Sequence, residues 1–162
     1  YLWFKALNKI RMKSNAVLLL KTQIEFNQNV IEKNLEGISH HESMIFPNGE
    51  ANSMNWIFGH LIFVRNTLLE IVGEKPVWND EDYPFYNRGV NPVQLQYEFL
   101  DFETLKTYFR ESQNRLNRAL ENRNDLPAEN ISDIAGLSLH EIYHSGQLGY
   151  LRRILGKKGA IK

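Results

Sequence analysis

Three histidines are the residues of this chain most suited to chemistry. His140 and His144 stand four residues apart in the segment HEIYH, a spacing that puts both side chains on one face of a helix. Two imidazoles so placed can bind one metal ion at about 2.0–2.1 Å. His60 falls on the inner face of an earlier apolar helix, and helical bundles commonly hold metals between facing helices. We therefore predict a metal site formed by His60, His140 and His144. In the alternative interpretation, His60 only hydrogen-bonds a neighbouring polar side chain.

Three imidazole ligands restrict the choice of metal. Neutral nitrogen ligands suit zinc, nickel, copper, cobalt or iron(II), whereas magnesium and calcium prefer oxygen. The sequence leaves the choice within the first group open, and zinc and nickel are our first expectations. Three protein ligands leave a coordination position for water or substrate, as is typical of catalytic sites. Because imidazole must be unprotonated to bind, we expect metal release as the pH falls below about 6.5.

The same segment matches the pattern His-Glu-x-x-His of zinc peptidases, in which the glutamate is the general base. The longer metzincin pattern fails, because Gln147 stands where a glycine is required and Tyr150 where a third histidine belongs. Peptidases also need a sheet edge along which the peptide substrate lies, and the sequence before this segment predicts no strand. We therefore do not predict peptidase activity.

Four polar residues near the histidines are candidates for contacts in the surrounding pocket: Gln147, Glu141, Tyr143 and Asn55. Gln147 hydrogen-bonds either a metal-bound ligand or another helix. Glu141 orients a histidine, acts as a base near the metal, or faces solvent. The sequence identifies no catalytic residue. We expect His40 and His41 to be solvent-exposed and to have no metal role.

The composition narrows the function further. Because there is no cysteine, any thiol chemistry requires a thiol from outside the chain. Nineteen basic residues balance nineteen acidic ones, which does not fit a nucleic-acid-binding protein. The apolar stretches are too short for a transmembrane helix, and residues 1–5 show no signal-peptide cleavage pattern. We therefore expect a cytoplasmic protein with no membrane or nucleic-acid partner.

Four long helical patterns position the histidines. Apolar residues at helical spacing predict helices over residues 14–38, 54–72, 91–121 and 131–155. Asn91 and Pro92 predict the start of the third helix as N-cap and first helical residue. The fourth helix is predicted to face the core through a stripe that comprises Leu137, His140, His144, Leu148, Leu151 and Leu155.

The helices predict an all-α four-helix bundle that forms one domain over residues 1–162. The connection over residues 74–90 is long for a compact domain, and such connections often cover a site or another subunit. Its aromatic residues Trp78, Phe85 and Tyr86 line the mouth of a pocket or form a dimer contact. The sequence leaves these alternatives open.

Two segments together resemble the DinB-like (DNA-damage-inducible, YfiT-like) superfamily of metalloenzymes. One is NWIFGHL at residues 55–61, followed by Arg65 and Asn66, and the other is HExYHxGQL at residues 140–148, continuing to Gly156. The resemblance implies an up-down-down-up four-helix bundle, often a homodimer. It also implies a divalent metal bound by one histidine of the second helix and two of the fourth, which correspond to His60, His140 and His144.

Relatives in that superfamily include transferases and isomerases that use low-molecular-weight thiols such as bacillithiol or mycothiol. The expected function is a divalent-metal-dependent enzyme acting on a small electrophilic substrate, as a thiol-dependent S-transferase or isomerase or as a metal-assisted hydrolase. The alternative is a non-catalytic metal-binding or stress-related helical bundle protein. In that alternative Glu141 completes a closed set of four ligands.

Overall fold

The computed structural model describes residues 2–121, 123 and 126–161, with side chains from Asn15 onward apart from Tyr97. Within these ranges the chain forms five α-helices and no β-strand. The helices are α1 Leu2–Leu35, α2 His40–Ser43, α3 Met54–Ile71, α4 Phe102–Glu121 and α5 Ala128–Ile154. The prediction of an all-α protein is confirmed.

The four long helices pack side by side as a bundle. α1 lies along α5, α3 packs against both α4 and α5, and α1 also contacts α4. Burial of apolar side chains from all four helices stabilises this arrangement. Around one end of the core these include Ile57, Phe58, Leu61, Phe102, Phe109 and Leu148, and around the other Leu20, Ile24, Leu68, Leu116 and Ile134. No helix in the described ranges is both long and apolar enough to cross a membrane.

α3, which carries His60, closely follows its predicted limits. The Ser53 hydroxyl accepts a hydrogen bond from the backbone N–H of Trp56 at 3.2 Å and caps the helix. Gly73 follows the helix with φ +79°, a left-handed conformation that ends helices and favours glycine. Local capping signals therefore suffice to define this helix.

α4 begins at Phe102, so the prediction that it starts at residue 91 is wrong. Tertiary contacts hold the chain before it in a different path. The backbone N–H of Leu100 donates to the Tyr86 hydroxyl at 2.9 Å, and its carbonyl accepts from the Asn55 amide at 3.0 Å. Asp101 then accepts hydrogen bonds from two backbone N–H groups of the first helical turn, as an N-cap does.

The long connection between α3 and α4 folds back onto α3. The Asn66 side chain of α3 donates to the Trp78 carbonyl at 3.2 Å and accepts from the Val77 N–H at 2.9 Å. Trp78 and Tyr86 are buried in the core, and Phe85 packs against it. Trp78 and Tyr86 therefore line neither a pocket mouth nor a free dimer surface, which corrects both sequence-based alternatives for these two residues.

The buried face of α5 agrees with the predicted stripe at His144, Leu148 and Leu151. Elsewhere it is formed by Ile134, Ser138, Glu141 and Ser145 instead. Leu137, His140 and Leu155 are only half-buried, because a polar network around Glu141 occupies the centre of the helix interface. His144 is buried and His140 lies half-buried at the edge.

Candidate metal centre

His60 on α3 meets His140 and His144 on α5. One ring nitrogen from each lies within 4.8 Å of the other two, and the Nε2 atoms of His140 and His144 are 3.1 Å apart. Two nitrogens at that separation, each about 2.05 Å from an ion, subtend roughly 100° there, a geometry open to zinc and similar metals. These three histidines could therefore bind one metal ion, as the sequence predicted.

Two contacts orient the His60 ring. Its Nδ1 donates to the Tyr86 carbonyl at 2.8 Å, and its ring stacks on Trp56 with a centroid distance of 5.1 Å and an interplanar angle of 3°. Because a carbonyl only accepts, the proton resides on Nδ1 and the lone pair on Nε2. A hydrogen bond from the second ring nitrogen to a carbonyl is typical of metal-binding histidines.

Tyr86 is itself fixed on α3. Its ring packs where a β-carbon on Gly59 would be, so only glycine fits there without a shift of the ring. Its hydroxyl donates to Asn55 Oδ1 at 2.9 Å, and burial raises the pKa of this hydroxyl, which keeps it protonated. Asn55, a candidate pocket residue, instead supports the segment that orients His60.

Gln147 orients His144. Its Oε1 accepts the Nδ1 proton of His144 at 2.7 Å, and its Nε2 donates to the Tyr143 hydroxyl at 3.3 Å. This leaves Nε2 of His144 available, on the side of His140. Gln147 therefore acts through His144, while Tyr143 is 64% exposed and contacts the site only through Gln147 and the edge of the His144 ring.

His140 completes the group at its more exposed side. Its Nδ1 is buried and has no hydrogen-bond partner in the described structure. Its Nε2 is directed at His144, which places this nitrogen beside the other two rings. His140 differs from His60 and His144 in that no acceptor among the described residues orients its second ring nitrogen.

The electrostatics favour neutral imidazoles. Burial lowers the pKa of all three rings, and that of His144 falls to about 4 from its ordinary 6.5. The hydrogen bond to Gln147 opposes this lowering at His144, and the neighbouring histidines add to it. All three side chains are therefore unprotonated at neutral pH, which is the form that binds metals.

No protein-family model matches the chain, and no curated protein matches it.

Glu141 faces away from the histidine cluster. Its Oε1 accepts from Nε of Arg65 at 2.6 Å, and its Oε2 accepts from Asn27 at 3.2 Å. Both members of the ion pair are fully buried, and the guanidinium also lies over the Phe109 ring at 3.8 Å. Glu141 therefore neither faces solvent nor is available as a base or fourth ligand, which corrects those sequence-based interpretations.

The remaining Arg65 donors are also satisfied. Its NH1 donates to Gln28 Oε1 at 3.0 Å and to Ser112 Oγ at 3.3 Å, so residues from α1, α3, α4 and α5 meet in one network. Such a network holds α3 and α5 in a fixed relationship, and these are the two helices that carry the histidines. His40 and His41 are exposed and lie outside the cluster, as predicted.

Sequence reasoning assigned no role to the residues that support the cluster, although Gly59 and Arg65 belong to the quoted motif. Gly59 and Tyr86 act by a ring-on-backbone contact, and Arg65 by pairing with a residue on a distant helix. Of these three residues, only Arg65 could have been recognised from the sequence, because an arginine among the apolar residues of α3 requires a buried partner. The Tyr86 carbonyl had none, because every residue has a carbonyl.

Proposed function

We propose that this protein is a divalent-metal-dependent enzyme of the DinB-like family, in which His60, His140 and His144 hold the ion. The two sequence motifs and the convergence of these histidines support the assignment. We also propose the up-down-down-up helix order of that family. The packing of α3 between α4 and α5 and of α1 along α5 is compatible with it.

One observation carries the proposal of catalysis. The cluster comprises three histidines, and among the described residues no carboxylate joins them as a fourth ligand. Glu141, the nearest candidate in sequence, is held by Arg65. Three protein ligands with an open position are characteristic of catalytic rather than structural zinc sites.

In this proposal the three histidines bind the ion, and neighbouring residues orient the histidine rings. A bound zinc or nickel ion would supply Lewis-acid activation of a thiol or a water molecule. Tyr86 and Gln147 fix the tautomers of His60 and His144 so that their Nε2 atoms remain available. Trp56 covers one face of the His60 ring and excludes water from it. His140 lines a cleft beside the cluster, and a substrate would enter through this cleft.

The reaction we propose is transfer of an external low-molecular-weight thiol to a small electrophilic substrate, or isomerisation of that substrate with the thiol. The absence of cysteine from the chain fits an external thiol. Hydrolysis by a metal-activated water is the alternative reaction at the same site. A non-catalytic metal-binding role requires a closed ligand set, which the engagement of Glu141 with Arg65 disfavours.

We further propose a cytoplasmic homodimer formed through α1 and α5. Large apolar side chains are exposed along the groove between these helices: Phe26 59%, Leu139 64% and Ile142 40%. Exposed apolar groups grouped in this way are typical of protein interfaces. The formal net charge of zero means that two copies would not repel each other strongly.

Metal analysis of untagged protein tests the assignment of the site. We expect about one zinc or nickel ion per chain in the wild type and its loss in His60→Ala, His140→Ala and His144→Ala. His41→Ala is the matched control, because this histidine is exposed and outside the cluster. Equal metal content in all five proteins would refute the site.

Exogenous ligands test whether the metal has an open position. In cobalt-loaded protein, azide or a small thiol is expected to change the visible absorption spectrum as it enters the coordination sphere. A closed set of four protein ligands predicts no change. An unchanged spectrum would therefore favour the non-catalytic role, and a screen of thiols against electrophiles would follow only a positive result.

A further inference from the structure

A cleft of about 260 Å³ opens beside the histidine cluster, and both His60 and His140 line it. Phe63 and Leu137 give it an apolar wall, and Thr67, Asn87 and Arg88 give it polar groups. A small molecule that fills this cleft would contact the histidine cluster at one end.

Arg88 is the charged residue of this cleft, and the segment that orients His60 also positions it. Tyr86 accepts from His60 Nδ1, and Arg88 follows two residues later. The Arg88 backbone N–H donates to Asn87 Oδ1 at 2.6 Å, which leaves the Asn87 amide N–H groups as free donors. Gly89 then turns the chain away with φ +86°.

The Arg88 guanidinium has no partner within the described part of the chain. No hydrogen bond or ion pair to its side chain is formed there, and the cleft is lined by no carboxylate among those residues. The guanidinium is exposed to solvent and lines the same cleft as His60 and His140. A free arginine whose planar fork matches an oxyanion is well suited to bind a carboxylate or phosphate.

We propose that Arg88, with the Asn87 amide and the Thr67 hydroxyl, forms an oxyanion-binding site beside the three-histidine cluster. The substrate or co-substrate is then a small molecule with two functional parts. One is a carboxylate or phosphate bound by Arg88, and the other is the group that reaches the metal position. This inference deepens the proposed function and relies on it for the second part, while the oxyanion site itself consists of protein donors alone.

A matched pair of thiols tests the arrangement in cobalt-loaded protein. 3-Mercaptopropionate carries a carboxylate, and its methyl ester has the same thiol without the charge. We expect the acid to bind about tenfold more tightly than the ester in the wild type, because only the acid can accept charge-assisted hydrogen bonds from Arg88. Arg88→Gln is expected to abolish that preference, so that the acid and the ester bind about equally.

Two further variants serve as controls. Arg110→Gln removes the same charge from the exposed surface of α4, where Arg110 lies near Glu32, and is expected to keep the full preference. Arg88→Lys is expected to keep only part of it, because an ammonium cannot form a two-point contact. Equal binding of acid and ester by the wild type, or an unchanged preference in Arg88→Gln, would overturn the proposal.

A second titration uses metal-free protein, so that failure of the metal site and failure of the oxyanion site are distinguishable. Malonate and inorganic phosphate are added separately at constant pH and ionic strength, and the ring resonances of His60 and His140 are followed by NMR. Saturable shifts in the wild type that are lost in Arg88→Gln support the site and show which oxyanion it prefers. The absence of saturable shifts with both anions would overturn it, even if cobalt binds normally.

Discussion

The carbonyl of Tyr86 accepts the Nδ1 proton of His60 at 2.8 Å, and the ring of the same tyrosine packs on Gly59, the residue before that histidine. The connection between α3 and α4 therefore contacts α3 twice at this point. The Tyr86 carbonyl contacts His60, and the Tyr86 ring contacts Gly59. Any displacement of the Tyr86 ring must also displace the carbonyl that fixes the His60 tautomer. The size of residue 59 therefore controls the geometry of the cluster.

Gly59→Ala is expected to weaken both metal binding and folding. A β-carbon at residue 59 would overlap the buried Tyr86 ring, and overpacking of this kind typically costs about 1–3 kcal/mol. Loss of the Tyr86 hydrogen bond should also lower metal affinity by about 10- to 100-fold. Chelator competition measures the affinity, and urea unfolding of metal-free protein measures the stability.

Gly136→Ala is the matched control for that experiment. Gly136 lies in α5, and a β-carbon there would meet no atom within 4 Å. The substitution should therefore leave metal affinity unchanged and raise the stability slightly, since alanine is the better helix former by about 1 kcal/mol. If the two alanine variants behaved alike, the contact between Gly59 and Tyr86 would not govern the site.

Gln147→Leu is expected to lower metal affinity by about 10- to 100-fold without unfolding the protein. The Gln147 oxygen accepts the Nδ1 proton of His144, so leucine leaves that ring without its orienting partner. Gln147→Glu restores an acceptor and should recover most of the affinity. Tyr143→Phe removes only the outer contact to Gln147 and should have little effect. A leucine variant with wild-type affinity would show that Gln147 does not orient His144.

Glu141→Gln is expected to destabilise the metal-free protein by about 3–5 kcal/mol, because it leaves the buried Arg65 charge without its counterion. Metal stoichiometry should persist, since Glu141 is not a ligand. Glu103→Gln removes an exposed partner of Lys106 and should cost less than about 1 kcal/mol. Urea unfolding measures both variants. A small loss in Glu141→Gln combined with loss of metal would instead make Glu141 a ligand.

The histidine cluster was predictable because part of it depends on local spacing. His140 and His144 share a face of any helix, and the apolar pattern around His60 identified its inward position correctly. The centre of the buried face of α5 was not predictable, because the pattern of leucines left Ser138, Glu141 and Ser145 outside it. The Glu141–Arg65 pair determines that centre, and a pair between distant helices is invisible until the packing is known.

The start of α4 could not be predicted for a similar reason. Asn91 and Pro92 are good helix-starting residues, yet the chain enters the helix only at Phe102. The Tyr86 hydroxyl and the Asn55 amide bind the backbone of Leu100 instead. Because these contacts depend on the folded position of α3, local propensity could not reveal them.

The stability of the metal-free protein is expected to fall as the pH decreases from 6.5 towards 4. Burial lowers the pKa of His144 to about 4 and also lowers those of His60 and His140. In this window the unfolded chain binds more protons than the folded one, so the free energy of unfolding falls as the pH falls. For His144 alone the loss is on the order of 3 kcal/mol at the acid end.

Urea unfolding at several pH values measures this dependence. His144→Leu should show a shallower decrease than the wild type, whereas His41→Leu should match the wild type, because His41 is exposed. Equal slopes for the wild type and His144→Leu would contradict the lowered pKa. In metal-loaded protein, the lowered pKa values should also move metal release below the pH of about 6.5 expected for ordinary imidazoles.

Leu139→Glu is expected to convert the proposed homodimer into a monomer. Leu139 is 64% exposed and lines the groove between α1 and α5 with Phe26 and Ile142. In a two-fold symmetric interface each substitution acts twice, because the same surface is used by both subunits. A buried glutamate without a partner is strongly unfavourable.

Ile45→Glu is the control, since Ile45 is 41% exposed and does not line that groove. Sedimentation velocity should give a dimer for the wild type and Ile45→Glu and a monomer for Leu139→Glu. A monomeric wild type, or a dimeric Leu139→Glu, would exclude this groove as the subunit interface.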